Sequence, residues 1–313
     1  MQFDWPTPDQ IRYRIMRLRR LIAVAVAIPV VAMLGLSFFD PTALSADRAT
    51  LAAFAVSVLV VAHVVLFPNV AEETISLSLS VTLLVLAMPF IKQLALWAPA
   101  EHVTAALILL VAFAVVATGV VMGLLHIMLN TLVHAGPAIG LRLRTQTVLS
   151  CSTDVARRQC GLHPETRRGR VLAGPADENG FFEVAVASYQ VADPSTPEQP
   201  MVVTVDAKVL QSDKGRHDVM IALRNGTVTV TSQEYAAVAD GCQITAVDLP
   251  GDFTLGMHAA YWLTDQQADN LTELTDVITG QDARANGLAH GISLLSVAGA
   301  VFLPKAPVEN RAD

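Results

Sequence analysis

Charge is scarce in this chain. Only 16% of its 313 residues are charged, against about a quarter in a typical soluble protein. Aromatic residues make up 6%, and cysteine occurs three times, at Cys151, Cys160 and Cys242. Each shortage argues against something. With hydrophobic residues at 53%, the low charge argues against a disordered chain and against a purely soluble enzyme. An odd cysteine count argues against a disulfide framework. No G-x-S-x-G, Walker A, G-x-G-x-x-G or H-E-x-x-H pattern is present, which lowers the expectation of nucleophilic, nucleotide or zinc-protease chemistry. Cys160 and His163 have the spacing of metal ligands but lack the paired partners of a zinc site, so no metal is expected.

What is present is unevenly placed. The first 140 residues hold seven basic and seven acidic side chains, so the entire net charge of −7 belongs to the remainder. Four apolar runs fill that first part: Leu21–Phe39, Ala49–Phe67, Ile75–Leu96 and Val103–Leu129. Each is near or above the roughly 20 residues that cross a bilayer as a helix. The first run is too long for a signal-peptide core and is read as a retained anchor. Residues 1–20 form a basic N-terminus and 21–130 a four-span membrane region.

The arginines set the orientation. Arg12, Arg14, Arg17, Arg19 and Arg20 precede the first run, and Arg142 and Arg144 follow the fourth. The positive-inside rule places both flanks in the cytoplasm. Arginine outnumbers lysine, and alanine and valine are abundant. That usage points to a GC-rich bacterium, hence to a bacterial inner membrane.

Ser76, Ser78, Ser80 and Thr82 open the third run, where their hydroxyls can bond within the helix or to neighbours. His63 and His126 fall at similar depth in the second and fourth runs. Two such histidines could ligate a haem iron, although interfacial histidines bonded to water or headgroups are the simpler account.

After Leu141 the pattern changes to alternation with turn signals. Strands are expected at Arg142–Ser150, Phe181–Tyr189, Met201–Leu210, Arg216–Leu223, Thr227–Val238 and Cys242–Leu249. Ser152, Thr153 and Asp154 can cap a short helix through Cys160. An arginine-rich loop follows it. One helix is expected over Thr254–Thr279, its apolar face carrying Leu263, Leu271, Leu274 and Ile278.

This order resembles the helix-grip superfamily, also called START-like or SRPBCC, over residues 141–281. The most specific segment is LPGDFTLGMHAAYWLTDQQADNLTELTDVITGQ, Leu249–Gln281, where a last strand passes through a Pro-Gly turn into a long helix. The resemblance implies an α+β domain in which an antiparallel sheet grips that helix. It also implies an apolar cavity for a lipid or other hydrophobic ligand. Phe181, Phe253, Met257, Tyr261 and Trp262 are the expected lining residues, with simple core filling as the alternative role.

The stretch from Arg142 to Arg170 is basic. Arg142, Arg144, Arg157, Arg158, Arg167, Arg168 and Arg170 can contact an anionic membrane surface. The acidic remainder argues against nucleic acid as a partner. Gly287–Leu303 is a further apolar run, read as membrane-associated, and residues 304–313 form a tail. The expected function is a membrane-anchored START-like domain that binds a hydrophobic ligand at the cytoplasmic surface. The alternatives are an accessory or assembly subunit of a larger membrane complex, and a cyclase- or hydrolase-type enzyme.

Overall fold

The computed structural model describes residues 5–95, 103–169, 171–192, 200–223, 226–280 and 293–295. The chain divides into two units. A helical unit is built on Arg14–Leu132, joined by the described residues 293–295. A sheet unit begins at Val133, and Thr7–Tyr13 belongs with it.

The basic N-terminus carries a helix that was not expected, α1 (Pro8–Arg17), and the four apolar runs lie on α2 (Arg19–Phe39), α3 (Ala46–Leu66), α4 (Ala71–Ala95) and α5 (Val103–His134). Among the described residues, three are long and apolar enough to cross a membrane: α2, α3 and, within α5, Ile108–His134. The run expected from Ile75 lies on α4. Within the helical unit α2 packs on α3 and α4. Leu18, Leu21 and Val64 form one buried cluster, and Met33, Leu44 and Ala49 another. The hydroxyls of Ser76, Ser78, Ser80 and Thr82 each donate to the carbonyl four residues earlier, at 2.6–3.1 Å. They satisfy themselves inside the helix, as apolar surroundings require.

The sheet unit contains β1 (Leu143–Leu149), α6 (Thr153–Cys160), β2 (Arg167–Arg168), β3 (Val171–Ala173), β4 (Phe181–Ala192), β5 (Pro200–Ser212), β6 (Arg216–Ala222), β7 (Val228–Val238), β8 (Gly241–Leu249), α7 (Leu255–Thr264) and α8 (Gln266–Thr279). The strands form one antiparallel sheet in the order β1-β8-β7-β6-β5-β4-β3-β2. The first strand pairs with the last, and the rest follow as a meander. Ser152 caps α6 by accepting from the Val155 N–H. The segment expected to be an arginine-rich loop carries β2 and β3 as well.

The core sits between one face of this sheet and the helices. Side chains alternate along a strand, so Cys242, Ile244 and Ala246 of β8 share a face. They pack with Leu149, Tyr235, Ala156, Cys160 and Leu271, and Leu274 and Ile278 of α8 lie against them. A second cluster under the far strands holds Ala173, Phe182, Val184, Ala207 and Val219.

The helix expected to run unbroken from Thr254 to Thr279 is two helices. Asp265 adopts the left-handed conformation, φ 50° and ψ 40°, between α7 and α8. Aspartate tolerates this conformation better than most residues. Each half is held by a different part of the unit. Thr254 and His258 of the first half bond to the main chain at Val133 and Ile139. Gln267 of the second bonds to Leu143 and Asp248. Helical periodicity alone carries no sign of that divided anchoring.

Candidate functional site

A cavity of about 290 Å³ lies between α8 and the inner row of the sheet. Strand register explains its walls. Thr231 and Gln233 of β7 stand opposite Asp248 and Ala246 of β8, and all four line it. From α8 come Gln267, Asn270, Leu271, Glu273 and Leu274; Arg168, Gly169 and Val171 complete the wall. Most of these side chains carry hydrogen-bonding groups.

Asp248 occupies the end of the row that begins at Cys242. It is half-buried, and its Oδ2 accepts a 2.9 Å hydrogen bond from Gln267 Nε2. The same amide nitrogen donates to the Leu143 carbonyl at 2.9 Å, and Leu143 is the residue opposite Asp248 across the β1–β8 ladder. Burial pushes the Asp248 carboxyl above the ordinary range, against the opposing pull of hydrogen bonds from Thr231 and Gln267. Burial also raises the Tyr261 phenol, and the charges of Asp248 and Asp252 push it the same way. The arrangement therefore offers a carboxyl whose proton is held more tightly than usual, beside a fixed amide. It can donate and accept hydrogen bonds at one point.

The Arg168 guanidinium folds onto the C-terminal end of α6, donating to the carbonyls of Gln159, Cys160 and Gly161. Those carbonyls have no partner within the helix, and a cation there also complements the helix dipole. Burial lifts the adjacent Cys160 thiol to about 12, so it stays protonated at neutral pH. Close to Gly161, at the same end of α6, the rings of His163 and His217 meet at 4.4 Å. His217 is buried, with Nε2 donating to the Leu162 carbonyl at 3.0 Å and Nδ1 accepting from Ser212 Oγ at 3.1 Å. Burial lowers the pKa of both rings.

The five expected ligand-lining residues lie elsewhere. Phe181 is half-buried at the start of β4 under Lys208 Nζ, and the neighbouring Phe182 enters the core. Phe253 packs edge-on against Tyr261 and His258. Met257 is half-buried in the first turn of α7, and Trp262 is exposed. None of the five lines the cavity. Of the expected membrane-surface arginines, Arg142, Arg144, Arg158 and Arg167 are exposed. Arg157 bonds to Ser212, Arg168 caps α6, and Arg170 lies outside the described residues.

Sequence reading missed Asp248, Gln267, Thr231 and Gln233 as a group. The alternation of β7 was visible, but alternation does not reveal which phase faces inward.

A second cleft of about 560 Å³ is bordered by Thr147–Cys151, Gln159, Thr275, Ile278 and Thr279. Cys151 is its only titratable side chain, so the acid–base groups concentrate in the first cavity. Among the described residues no three His, Cys, Asp or Glu side chains form a group able to hold a metal ion.

The helical unit has its own polar cluster. His63 is buried, with Nδ1 3.1 Å from Thr74 Oγ1 and Nε2 3.0 Å from Glu73 Oε1. Glu73 in turn accepts from the backbone N–H groups of Leu294 and Leu295, at 2.8 and 3.4 Å. A haem iron at His63 would have to displace one of the two ring contacts. His126 is half-buried on α5, and its Nδ1 has no hydrogen-bond partner among the described residues. Gly287–Leu303 falls outside the described residues apart from 293–295, and residues 304–313 fall outside entirely.

No protein-family model matches the chain, and no curated protein does. Solved structures do. A crystal structure of a protein from Chromobacterium violaceum is 14% identical, covering 44% of this chain and 96% of its own, with a TM-score of 0.31. A crystal structure of a Nitrosomonas europaea protein is 16% identical, covering 45% and 95%, with a TM-score of 0.33. A Staphylococcus aureus protein, described as being of unknown function, is 9% identical, covering 48% and 94%, with a TM-score of 0.30.

Proposed function

We propose that this chain is a membrane-anchored binding protein. Four spans, on α2 to α5, hold a helix-grip domain at the cytoplasmic face of a bacterial inner membrane. Three helices apolar enough to span support the anchor, and the flanking arginines support the orientation. The helix-grip reading is supported by pairing of the first strand with the last, and by α8 packing on the sheet face.

The observation that carries the binding role is the cavity walled by Asp248, Gln267, Thr231 and Gln233. Its volume of about 290 Å³ falls just below the roughly 300–1,000 Å³ seen for small-molecule sites. Its small size, and the side chains of Thr231, Gln233, Asp248 and Gln267 set beside the apolar Val171, Ala246, Leu271 and Leu274, favour a small ligand with hydrogen-bonding groups over a long lipid chain. The lipid expected from the helix-grip resemblance is therefore the weaker choice of cargo.

Native mass spectrometry of the full-length protein, extracted from the membranes that made it, tests this. A small polar adduct released on unfolding is the expected result. Purified protein that carries no adduct, and whose melting point does not move with an extract of polar metabolites, would contradict it.

A further inference from the structure

We infer that the cavity between α8 and the sheet takes a small organic cation, a primary ammonium on a short apolar skeleton, with Asp248 as its counter-ion. This rests on the binding role proposed for the cavity and narrows it to one class of ligand. Asp248 is half-buried, and its hydrogen-bond partners, Gln267 and Thr231, are both neutral. Among the described residues no cation pairs with it. Arg168 is the one cation on the cavity wall, and its Nη1 is committed to the carbonyls at the end of α6. Glu273 adds a second carboxyl to the same wall. Burial raises the Asp248 carboxyl with no nearby positive charge to oppose it. Asp248 and Asp252 likewise raise the Tyr261 phenol, again without an opposing cation. A carboxylate taken out of water is costly until it is paired, and a cationic ligand supplies the missing charge.

The spare hydrogen-bonding capacity has the same sense. Gln267 spends one amide hydrogen on Asp248 and the other on the Leu143 carbonyl. Thr231, opposite Asp248 across the β7–β8 ladder, gives its only hydroxyl hydrogen to the carboxyl. Acceptor capacity remains beside Asp248: the free lone pairs of the carboxylate, the Thr231 oxygen, and Gln233 Oε1, which takes one bond from the Tyr235 hydroxyl at 2.7 Å. An ammonium carries three donors and no acceptor, so it matches this set. A carboxylate or phosphate offers acceptors and would meet like charge. Val171, Ala246, Leu271 and Leu274 make the rest of the wall apolar, which suits a short carbon skeleton.

The test melts full-length protein in detergent with butylamine, butanol and butyrate, which put a cationic, a neutral and an anionic head on one alkyl chain. Butylamine is expected to raise the melting point at a concentration roughly tenfold or more below that of the other two, the gain from a charge-assisted bond. Asp248→Asn is expected to abolish that preference. Asn270→Trp, which fills the cavity from its exposed rim, is expected to abolish the effect altogether. If butanol or butyrate acts as well as butylamine, or the preference survives either substitution, the inference is wrong while the cavity remains a binding site. If none of the three acts on wild type, the inference is also wrong, and the extract of polar metabolites decides the broader reading. That reading stands if the extract raises the melting point, and falls with the inference if there is neither a shift nor a carried adduct. Should Asp248→Asn fail to fold, wild type alone suffices. The butylamine effect is expected to grow with pH as Asp248 ionises, until the amine loses its own charge near about pH 10; a flat profile overturns the inference.

Discussion

One side-chain nitrogen, Gln267 Nε2, lies 2.9 Å from both Asp248 Oδ2 and the Leu143 carbonyl, tying α8 to two paired strands at once. Gln267→Ala removes the donor from both acceptors in a partly dry site. The expected loss of stability is about 1–3 kcal/mol. Denaturant unfolding of the full-length protein in detergent measures it. Gln267→Glu is expected to be worse, because its carboxylate faces one carboxyl and one carbonyl oxygen.

Asp248 makes stability depend on pH. Its carboxyl titrates above the ordinary range in the folded protein, so the folded state holds its proton where the unfolded state has released it. Stability from this group is complete below the ordinary carboxylate pKa of about 4, and is lost as pH rises through the folded-state value. Asp248→Asn keeps the shape and cannot ionise. Subtracting the wild-type melting profile from that of Asp248→Asn isolates the effect. The variant is expected to gain on the wild type as pH rises across that window.

His217 has the opposite sign. Burial holds its ring neutral, so its contribution is present above the ordinary histidine pKa of about 6.5 and is lost as pH falls through the lower folded-state value. His217→Gln is expected to be less stable at neutral pH by about 1–3 kcal/mol, since the Leu162 carbonyl and Ser212 lose well-placed partners. It is also expected to flatten the acid side of the profile. Melting temperatures of the two proteins between pH 7 and about 4 read both effects.

Glu73 joins His63 to the backbone of Leu294 and Leu295. Glu73→Ala leaves the His63 ring nitrogen and two N–H groups without their acceptor in a buried setting, at a cost of about 3–5 kcal/mol. Glu73→Gln retains an oxygen acceptor and is expected to cost less than half as much. Thermal unfolding in detergent ranks the variants. Protease sensitivity near Leu294 is expected to rise in Glu73→Ala and to stay near wild type in Glu73→Gln.

The helices on the apolar runs, most of the strands and the α6 cap were legible in the sequence, because each rests on local chemistry; α1 in the basic N-terminus was not. Apolar runs make helices, Ser152 offers an oxygen to an N–H three residues on, and alternation marks strands. The cavity was not legible. Thr231 and Gln233 sit on the inner phase of β7 beside Tyr235, while Val230 and Ser232 take the other. The choice between the phases is made by pairing with β8, far along the chain. The aromatic residues chosen for a lipid cavity follow from hydrophobicity, and the structure spends Phe253 and Tyr261 on one another. The break at Asp265 escaped for a related reason, since two distant anchors impose it on a segment whose own pattern is continuous.

The central claim is that the Asp248–Gln267 cavity holds a small polar ligand in the intact protein. Asn270 lines the cavity and is itself exposed, so Asn270→Trp blocks the site with little disturbance of the core. The decisive measurement compares the molecules released on unfolding from wild type and from Asn270→Trp, both extracted from native membranes and matched in melting behaviour. The account predicts a small hydrogen-bonding compound released by wild type and missing from the variant. A compound retained equally by both, or a long-chain lipid in its place, would contradict it.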